Sequence, residues 1–344
     1  MKIWIDLTSL PHIHFFRALI RRLGERGDDV LVTSREFGIM NDILDKNGIA
    51  YRSVGAHGGK DLEGKLLTSS ERVIRLAGIM AKEKPDIGLS KHSVESARVC
   101  FGLGIPSLNV IDHETAEAAM RLMVPLNDCI VTPRATPSSV LRSFGARQIR
   151  TFYGVCETAH FMDFRPSEGV LKSLGLSRKR PIVLSRAEPM LSAHNDRASV
   201  LHQVLKDIGE RFTEADIVFI PRGDGDLAAF GDLDLIIPDK STDTLSLYSM
   251  ASLMVGAGSC MNREAAVAGC PTISICPDRL PAVDKFMISK GLMSHSLDRG
   301  EVVRMASGIL GDPKGFKGRN AGIIRGFDDP YKCMTKAIDD LGSQ

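Results

Sequence analysis

The chain has 344 residues, room for about two domains at roughly 150 residues each. Hydrophobic residues make up 43% and charged residues 25%, which excludes a disordered or fibrous polymer. With 44 Lys and Arg against 42 Asp and Glu, the formal charge of +2 leaves no overall basic footprint for non-specific nucleic-acid binding, although a local basic patch stays open.

No apolar run approaches the roughly 18 residues that cross a bilayer. Lys2 followed by Ile3-Trp4-Ile5 and then Asp6 is too short and too early-charged for a signal peptide. The cysteines at 100, 129, 156, 260, 270, 276 and 333 are dispersed, with no Cys-x-x-Cys pair. That spacing argues against a disulfide framework or a zinc ribbon and for small buried side chains. The chain is expected to be cytoplasmic.

Short β-branched runs alternate with amphipathic segments from the start. Residues 2–7 predict a strand, and apolar positions 13, 15, 16, 19, 20 and 23 predict a helix over 13–25. Strand 30–33, helix 37–46 and strand 49–54 follow, and the four glycines of 55–64 predict a loop. The pattern continues with helix 72–83, strand 86–89, helix 94–102, strands 106–110 and 129–131, and helix 137–144. Residues 153–167 mix turn residues with scattered aromatics and are expected to cross between domains. Strand 181–185, helix 196–211 and strands 216–220 and 233–237 restart the rhythm. Helix 245–251, strand 253–255, helix 262–268, strand 272–276 and helices 281–290, 301–310 and 330–341 complete it. This alternation implies an α/β protein of two doubly wound parallel sheets, residues 1–157 and 158–344, facing across a cleft. The last helix is expected to pack back on the first domain.

The segment from Val255 through Gly256-Ala-Gly258-Ser259-Cys260 to Gly269 is the most informative. A strand ends in glycines and a helix starts at once, so backbone N–H groups at the strand's carboxyl end suit a phosphate. Glu264 lies in the first turns and could accept two ribose hydroxyls, or merely complement the helix dipole. Arg186 follows another strand; its planar donors suit a diphosphate, and an ion pair with Glu188 is the structural alternative. His194 reads more readily as a helix-start residue than as a ligand contact. The run 219–226, with Arg222, is a candidate base-pocket wall or a plain loop.

In the first half, polar groups cluster at strand ends: Asp6, Thr8, Ser9, Pro11, His12 and His14; Lys91, His92 and Ser93; Asp112, His113 and Glu114. Carboxyl ends share one edge of a doubly wound sheet, so these groups are expected to converge. His12 or His14 is a candidate base near neutral pH. Lys91 and His92 are candidate substrate contacts, and Asp112 and Glu114 candidate catalytic carboxylates. A zinc site from His-x-His and an Asp is a competing reading, but no metal is expected.

The pattern Gly256-Ala-Gly-Ser-x-x-x-x-Glu264-Ala-x-x-x-Gly-x-Pro271 resembles the donor motif of GT-B glycosyltransferases and of non-hydrolysing UDP-N-acetylglucosamine 2-epimerases. Trp4 to Phe16, Lys91 to Arg98 and Met261 to Ala266 resemble the mainly archaeal family called domain of unknown function 354, over nearly the whole chain. The resemblance implies a GT-B-like fold, and it places Arg186 where an epimerase Arg faces the sugar-nucleotide diphosphate.

Three functions are weighed. In a glycosyltransferase, Gly258, Ser259, Cys260 and Arg186 would hold the diphosphate of a UDP-sugar donor and Glu264 its ribose. No cofactor is expected beyond that substrate. A His would then deprotonate an acceptor hydroxyl on a glycan or lipid carrier, with water excluded. In a 2-epimerase, carboxylates 112 and 114 would move the C2 proton, and Lys91-His92 departs from the epimerase pattern. The third class is a non-catalytic sugar-nucleotide binder. Arg17, Arg21, Arg22 and Arg26 share one face of the first helix; a solvated face accounts for them, with peripheral membrane contact the alternative.

Overall fold

A computed structural model of the chain describes residues 1–59, 61–187 and 200–343. The chain divides into two compact units. Unit 1 comprises Met1–Met162, Pro281–Val283 and a C-terminal piece from Asp328 onward; unit 2 comprises Asp163–Leu280 and Asp284–Phe327. The strands are β1 (Lys2–Leu7), β2 (Asp29–Glu36), β3 (Arg52–Ala56), β4 (Ile87–Lys91), β5 (Ser107–Val110), β6 (Cys129–Pro133) and β7 (Gln148–Phe152) in unit 1. Unit 2 has β8 (Ile182–Arg186), β9 (Asp216–Ile220), β10 (Leu253–Gly256), β11 (Thr272–Ser274) and β12 (Met293–His295).

Every strand pairing in both sheets is parallel. Unit 1 has the order β3-β2-β1-β4-β5-β6-β7, so the strand order reverses between β1 and β4. Unit 2 has the order β12-β11-β10-β8-β9 and reverses between β8 and β10. Both units are Rossmann-like. In such sheets ligands sit outside the strand carboxyl ends at the reversal. The register there pairs Asp6 with Ser90 in unit 1 and Gly256 with Arg186 in unit 2.

Central strands read as continuous apolar runs because helices cover both faces of each sheet. In β1, Ile3, Trp4, Ile5 and Leu7 are fully buried. The helix Leu10–Glu25 starts after Ser9 with Pro11 in its first turn, where proline's missing N–H costs nothing. It buries Ile13, Phe16, Leu19 and Leu23 against unit 1. The last helix, Pro330–Gly342, contributes Tyr331, Met334, Ala337, Ile338 and Leu341 to that same core. The Tyr331 hydroxyl donates to the carbonyl of Phe15 at 2.5 Å. In unit 2, Val183, Phe219, Val255 and Ile273 join Leu201, Val204, Leu205 and Ile208 of the helix Val200–Arg211.

Several local expectations are corrected. The helix expected over 72–83 begins at Leu62, because Asp61 caps it by accepting the Gly64 N–H at 2.6 Å, so the expected 55–64 loop is shorter. Residues 233–237 form no strand; a single bridge joins Val218 to Ile236. The helices Glu117–Met123 and Pro313–Ile324 and the strands β7 and β12 lie where no element was expected. They are short or weakly amphipathic, and packing decides them. Among the cysteines, Cys260 is exposed and Cys333 half-buried, while the other five are buried.

The arginine face of the first helix is also tied into unit 1. Arg17 donates to the carbonyl of His160 (2.6 Å), Arg22 pairs with Asp329 (3.0 Å), and Arg26 bridges Asp28 (2.5 Å) and Asp339 (2.7 Å). Arg21 pairs within its own helix, with Glu25. Among the described residues, no helix is long and apolar enough to cross a membrane.

Candidate functional site

Unit 1 gathers a buried polar cluster at the reversal between β1 and β4. Asp6, expected to face a ligand, is fully buried and serves the scaffold. Arg72 holds both its oxygens (2.6 and 3.0 Å), Thr33 donates at 2.6 Å and Ser93 at 2.7 Å. Burial opposes the carboxylate's charge, but Arg72 and the two hydroxyls still hold its pKa below the usual range. Ser93 also accepts the Ser96 N–H and so caps the helix Val94–Leu103, tying the end of β4 to β1.

Beyond Asp6, the ammonium of Lys91 lies 2.5 Å from Asp112 Oδ2, and His92 Nε2 lies 3.0 Å from Oδ1. Both carboxylate oxygens of Asp112 are therefore engaged. Burial works against the Lys91 charge, but Asp112, with Cys156 and Glu157 behind it, raises its pKa. His92 adopts a left-handed φ of 50°, costly for a side chain with a Cβ. Its backbone N–H is held by Asn109 Oδ1 at 2.9 Å, which helps maintain that strain. Burial, together with Lys91, depresses the His92 pKa.

His12 is buried, and its Nδ1 accepts the backbone N–H of Thr8 at 3.3 Å. Burial first, then Lys91 and His92, push its pKa well below the usual value, so the ring is neutral at pH 7. With Nδ1 accepting, the ring proton sits on Nε2. In this state His12 is an N–H donor. His14 is half-buried, and its ring centroid lies 5.8 Å from that of His160. His12 and His14 thus diverge. Glu114 accepts the backbone N–H of Ala282 at 2.8 Å, at the start of the helix Ala282–Ser289, and so caps it. His113 bonds Thr115.

Unit 2 presents a different site at the ends of β8 and β10. The helix Ser259–Val267 starts directly after β10, with Gly258 at its N-cap and no side-chain cap. Gly256 is required by a close approach: a Cβ there would collide with the Asn262 side chain, whose amide donates to the Gly256 carbonyl at 2.8 Å. At Gly258 a Cβ would lie 2.9 Å from Arg222 Nη2.

Arg186 ends β8 half-buried, donating through Nη1 to the Pro221 carbonyl at 2.8 Å. Its Nε is enclosed with no hydrogen-bond partner among the described residues. Burial and the neighbouring Arg222 both lower its pKa. Arg222 is likewise pushed down, chiefly by burial. Glu188 and His194 lie outside the described residues.

The Ser259 hydroxyl turns away from the glycine turn. It donates to Asp284 Oδ2 (2.5 Å) and accepts from Arg263 (2.7 Å), and Arg263 pairs with Asp284 at 2.7 Å. Only the backbone of Ser259 remains for an anion. Cys260 is exposed, with its sulfur 3.5 Å from Arg263 Nη2. Glu264 is 4% exposed, and its Oε2 accepts the Tyr248 hydroxyl at 3.3 Å. Tyr248 was not singled out from sequence. Its phenol is fully buried and its pKa raised, by burial first and then by Glu264. Arg222 stood out from sequence only within the run 219–226, a candidate base-pocket wall or a plain loop; its signal was an arginine after a strand end, like Arg186. Among the described residues, no group of His, Cys, Asp and Glu could hold a metal ion.

Known proteins resemble the whole chain. A UDP-GlcNAc 2-epimerase from Neisseria meningitidis, solved bound to UDP-GlcNAc, superposes with a TM-score of 0.78 at 13% identity, covering 100% of both chains. The spinosyn rhamnosyltransferase SpnG, solved with spinosyn aglycone, superposes with a TM-score of 0.63 at 14% identity, covering 97% of this chain and 99% of the other. At such identities the likeness shows the fold, a GT-B-type pair of Rossmann-like domains. The uncharacterized protein MJ0665 of Methanocaldococcus jannaschii is 35% identical over 343 residues, 98% of each chain. The family described as "Protein of unknown function (DUF354)" matches residues 1–341, and the chain belongs to that family.

Proposed function

We propose that the protein is an enzyme that binds a nucleoside-diphosphate sugar on unit 2 and transfers the sugar to an acceptor. The observation that carries this reading is the Arg186 guanidinium, placed at the β8–β10 reversal with an unpartnered Nε and no carboxylate partner among the described residues. Beside it stand the Gly256–Gly258 turn and an uncapped helix N-terminus. Donors aimed at a leaving diphosphate stabilise the charge that develops as the glycosidic bond breaks. Glu264, held by Tyr248, would accept the ribose hydroxyls, and the backbone of Ser259 and Cys260 would meet the phosphates. On unit 1, His12 would donate its Nε2–H to a substrate oxygen, while the Lys91–Asp112 ion pair and His92 would form a fixed polar wall. The role of base then passes to His14. A UDP-sugar is the donor to test first, and an acceptor with a free hydroxyl completes the reaction.

Calorimetry with UDP and UDP-N-acetylglucosamine tests the reading. Arg186→Ala and Glu264→Ala should each weaken binding at least tenfold, and unchanged binding in both would sink it.

Epimerisation at C2 is the second reading, favoured by the higher TM-score to an epimerase than to a rhamnosyltransferase. It must draw a proton from C2 with carboxylates that are already engaged: Asp112 by Lys91 and His92, and Glu114 in part by Ala282. Incubation with UDP-N-acetylglucosamine in heavy water separates the two readings, because only epimerisation places deuterium at C2.

A further inference from the structure

Arg186 and Arg222 leave adjacent ends of the unit 2 sheet, and each is strapped to the segment carrying the other. Arg186 Nη1 reaches the Pro221 carbonyl at 2.8 Å, and Arg222 Nε reaches the Ala187 carbonyl at 2.9 Å. The straps fix two guanidiniums side by side. Neutral carbonyls orient them without cancelling their charge. Asp226, 5% exposed, does not neutralise the pair at hydrogen-bond range; its Oδ2 accepts the backbone N–H of Arg222 at 2.6 Å and so holds the strand end in place. Among the described residues neither guanidinium has a carboxylate within ion-pair distance. Arg222 Nη2 reaches the start of the helix Ser259–Val267, where a Cβ at residue 258 would meet it at 2.9 Å.

Arginine keeps its proton, so two like charges held close together, one of them half-buried, raise the free energy of the unliganded fold. Burial pushes both pKa values down, and the Arg222 charge lowers that of Arg186 further, although Asp226 works against both shifts. An anion that meets both forks relieves the repulsion. The N-terminus of the helix adds roughly half a positive charge to the same place.

We propose that Arg222 is a second phosphate-binding residue and that the Arg186–Arg222 pair selects for a diphosphate over a monophosphate. This rests on the sugar-nucleotide reading above. One phosphate ester has three terminal oxygens to divide among both planar forks and the helix end. Two linked phosphates can share them, with bidentate pairing at each arginine. Gly258 belongs to the same device, since its hydrogen leaves room for Arg222.

The test is calorimetry on the full chain with UDP, GDP and ADP, their monophosphates, and inorganic pyrophosphate. Arg222→Gln should weaken the preferred nucleoside diphosphate and pyrophosphate at least tenfold and the monophosphate less than threefold. Arg222→Lys, which keeps the charge without the fork, should recover part of the loss. If Arg222 only straps the chain, Arg222→Gln lowers the melting temperature but keeps the wild-type ratio of diphosphate to monophosphate affinity, and the proposal is overturned. A wild-type chain that binds pyrophosphate through Arg222 but no nucleotide overturns the sugar-nucleotide reading alone. A wild-type chain that binds a nucleoside diphosphate just as Arg222→Gln does overturns the arginine pair alone. Binding of none of these ligands overturns both.

Discussion

At the reversal in unit 1 the buried cations have carboxylate partners. Lys91 faces Asp112, and Arg72 grips both oxygens of Asp6. In unit 2, Arg186 at the reversal and Arg222 beside it have, among the described residues, only backbone carbonyls as partners of their guanidiniums. The same topological position thus carries two electrostatic designs. A compensated pair costs little more when a ligand stays away, and it offers that ligand little charge. An uncompensated pair is a standing demand for an anion. On the proposed reading, this contrast assigns anion binding to unit 2 and hydrogen-bond and proton chemistry to unit 1.

The largest expected effect comes from unbalancing the compensated side. Arg72→Met leaves the buried Asp6 carboxylate with only the Thr33 and Ser93 hydroxyls and should cost about 3–5 kcal/mol of stability. Trp4, the single tryptophan, is buried in unit 1 and its indole N–H donates to Thr33, so its fluorescence follows this unit in urea. A midpoint shift worth under about 1 kcal/mol would show that Asp6 is not held as described. The matching change on the other side, Arg186→Met, should leave stability nearly unchanged or raise it, because it removes an uncompensated charge. A comparable loss of stability there would erase the distinction between the two designs.

A smaller effect follows from pH. His12 and His92 are held below the ordinary value of about 6.5, so the unfolded chain binds protons that the folded chain refuses. Stability is full above about pH 6.5 and falls as pH drops towards the depressed folded values, by up to about 1.4 kcal/mol per pH unit for each ring. Urea midpoints at pH 7.0 and 5.5 should diverge in the wild type and diverge less in His12→Gln. Equal divergence in the two proteins would mean that His12 is not held neutral.

The smallest effect concerns the tie between Tyr248 and Glu264, a single 3.3 Å bond. Tyr248→Phe should cost about 0.5–1.5 kcal/mol in unit 2. If Glu264 holds a ribose, the same change should also weaken nucleoside diphosphate binding a few-fold, measured by calorimetry, while leaving pyrophosphate affinity unaltered. A loss of pyrophosphate affinity would place Tyr248 with the phosphates instead.

Much of the fold was legible because its signals are local. Strands such as β1 and β8 read as apolar runs, and Gly256-Ala-Gly258 before a helix marked the turn in unit 2. The helix from Leu62 was read ten residues short, since exposed Leu62, Leu66 and Leu67 break the expected apolar stripe and only the Asp61 cap fixes the start. In the candidate site, residue types were legible and roles were not. Asp6 looked like a ligand group until Arg72, 66 residues away, was seen to hold it. Ser259 looked like a phosphate hydroxyl until Asp284 claimed it.

By itself the sequence determined the alternation of strands and helices, two parallel sheets, and the glycine turn that admits a close neighbour. These follow from hydrophobic period and backbone sterics, which act within a few residues. Tertiary structure alone decided which charges are cancelled. Arg222 and Arg186 stand 36 positions apart in the chain, yet β8 and β9 are adjacent and their ends bring the two guanidiniums together. The near-zero net charge counts Arg72 and Arg186 alike. Only the fold separates a cation that already has its carboxylate from one that lacks it, because Coulomb energy depends on distance and burial, not on position in the chain.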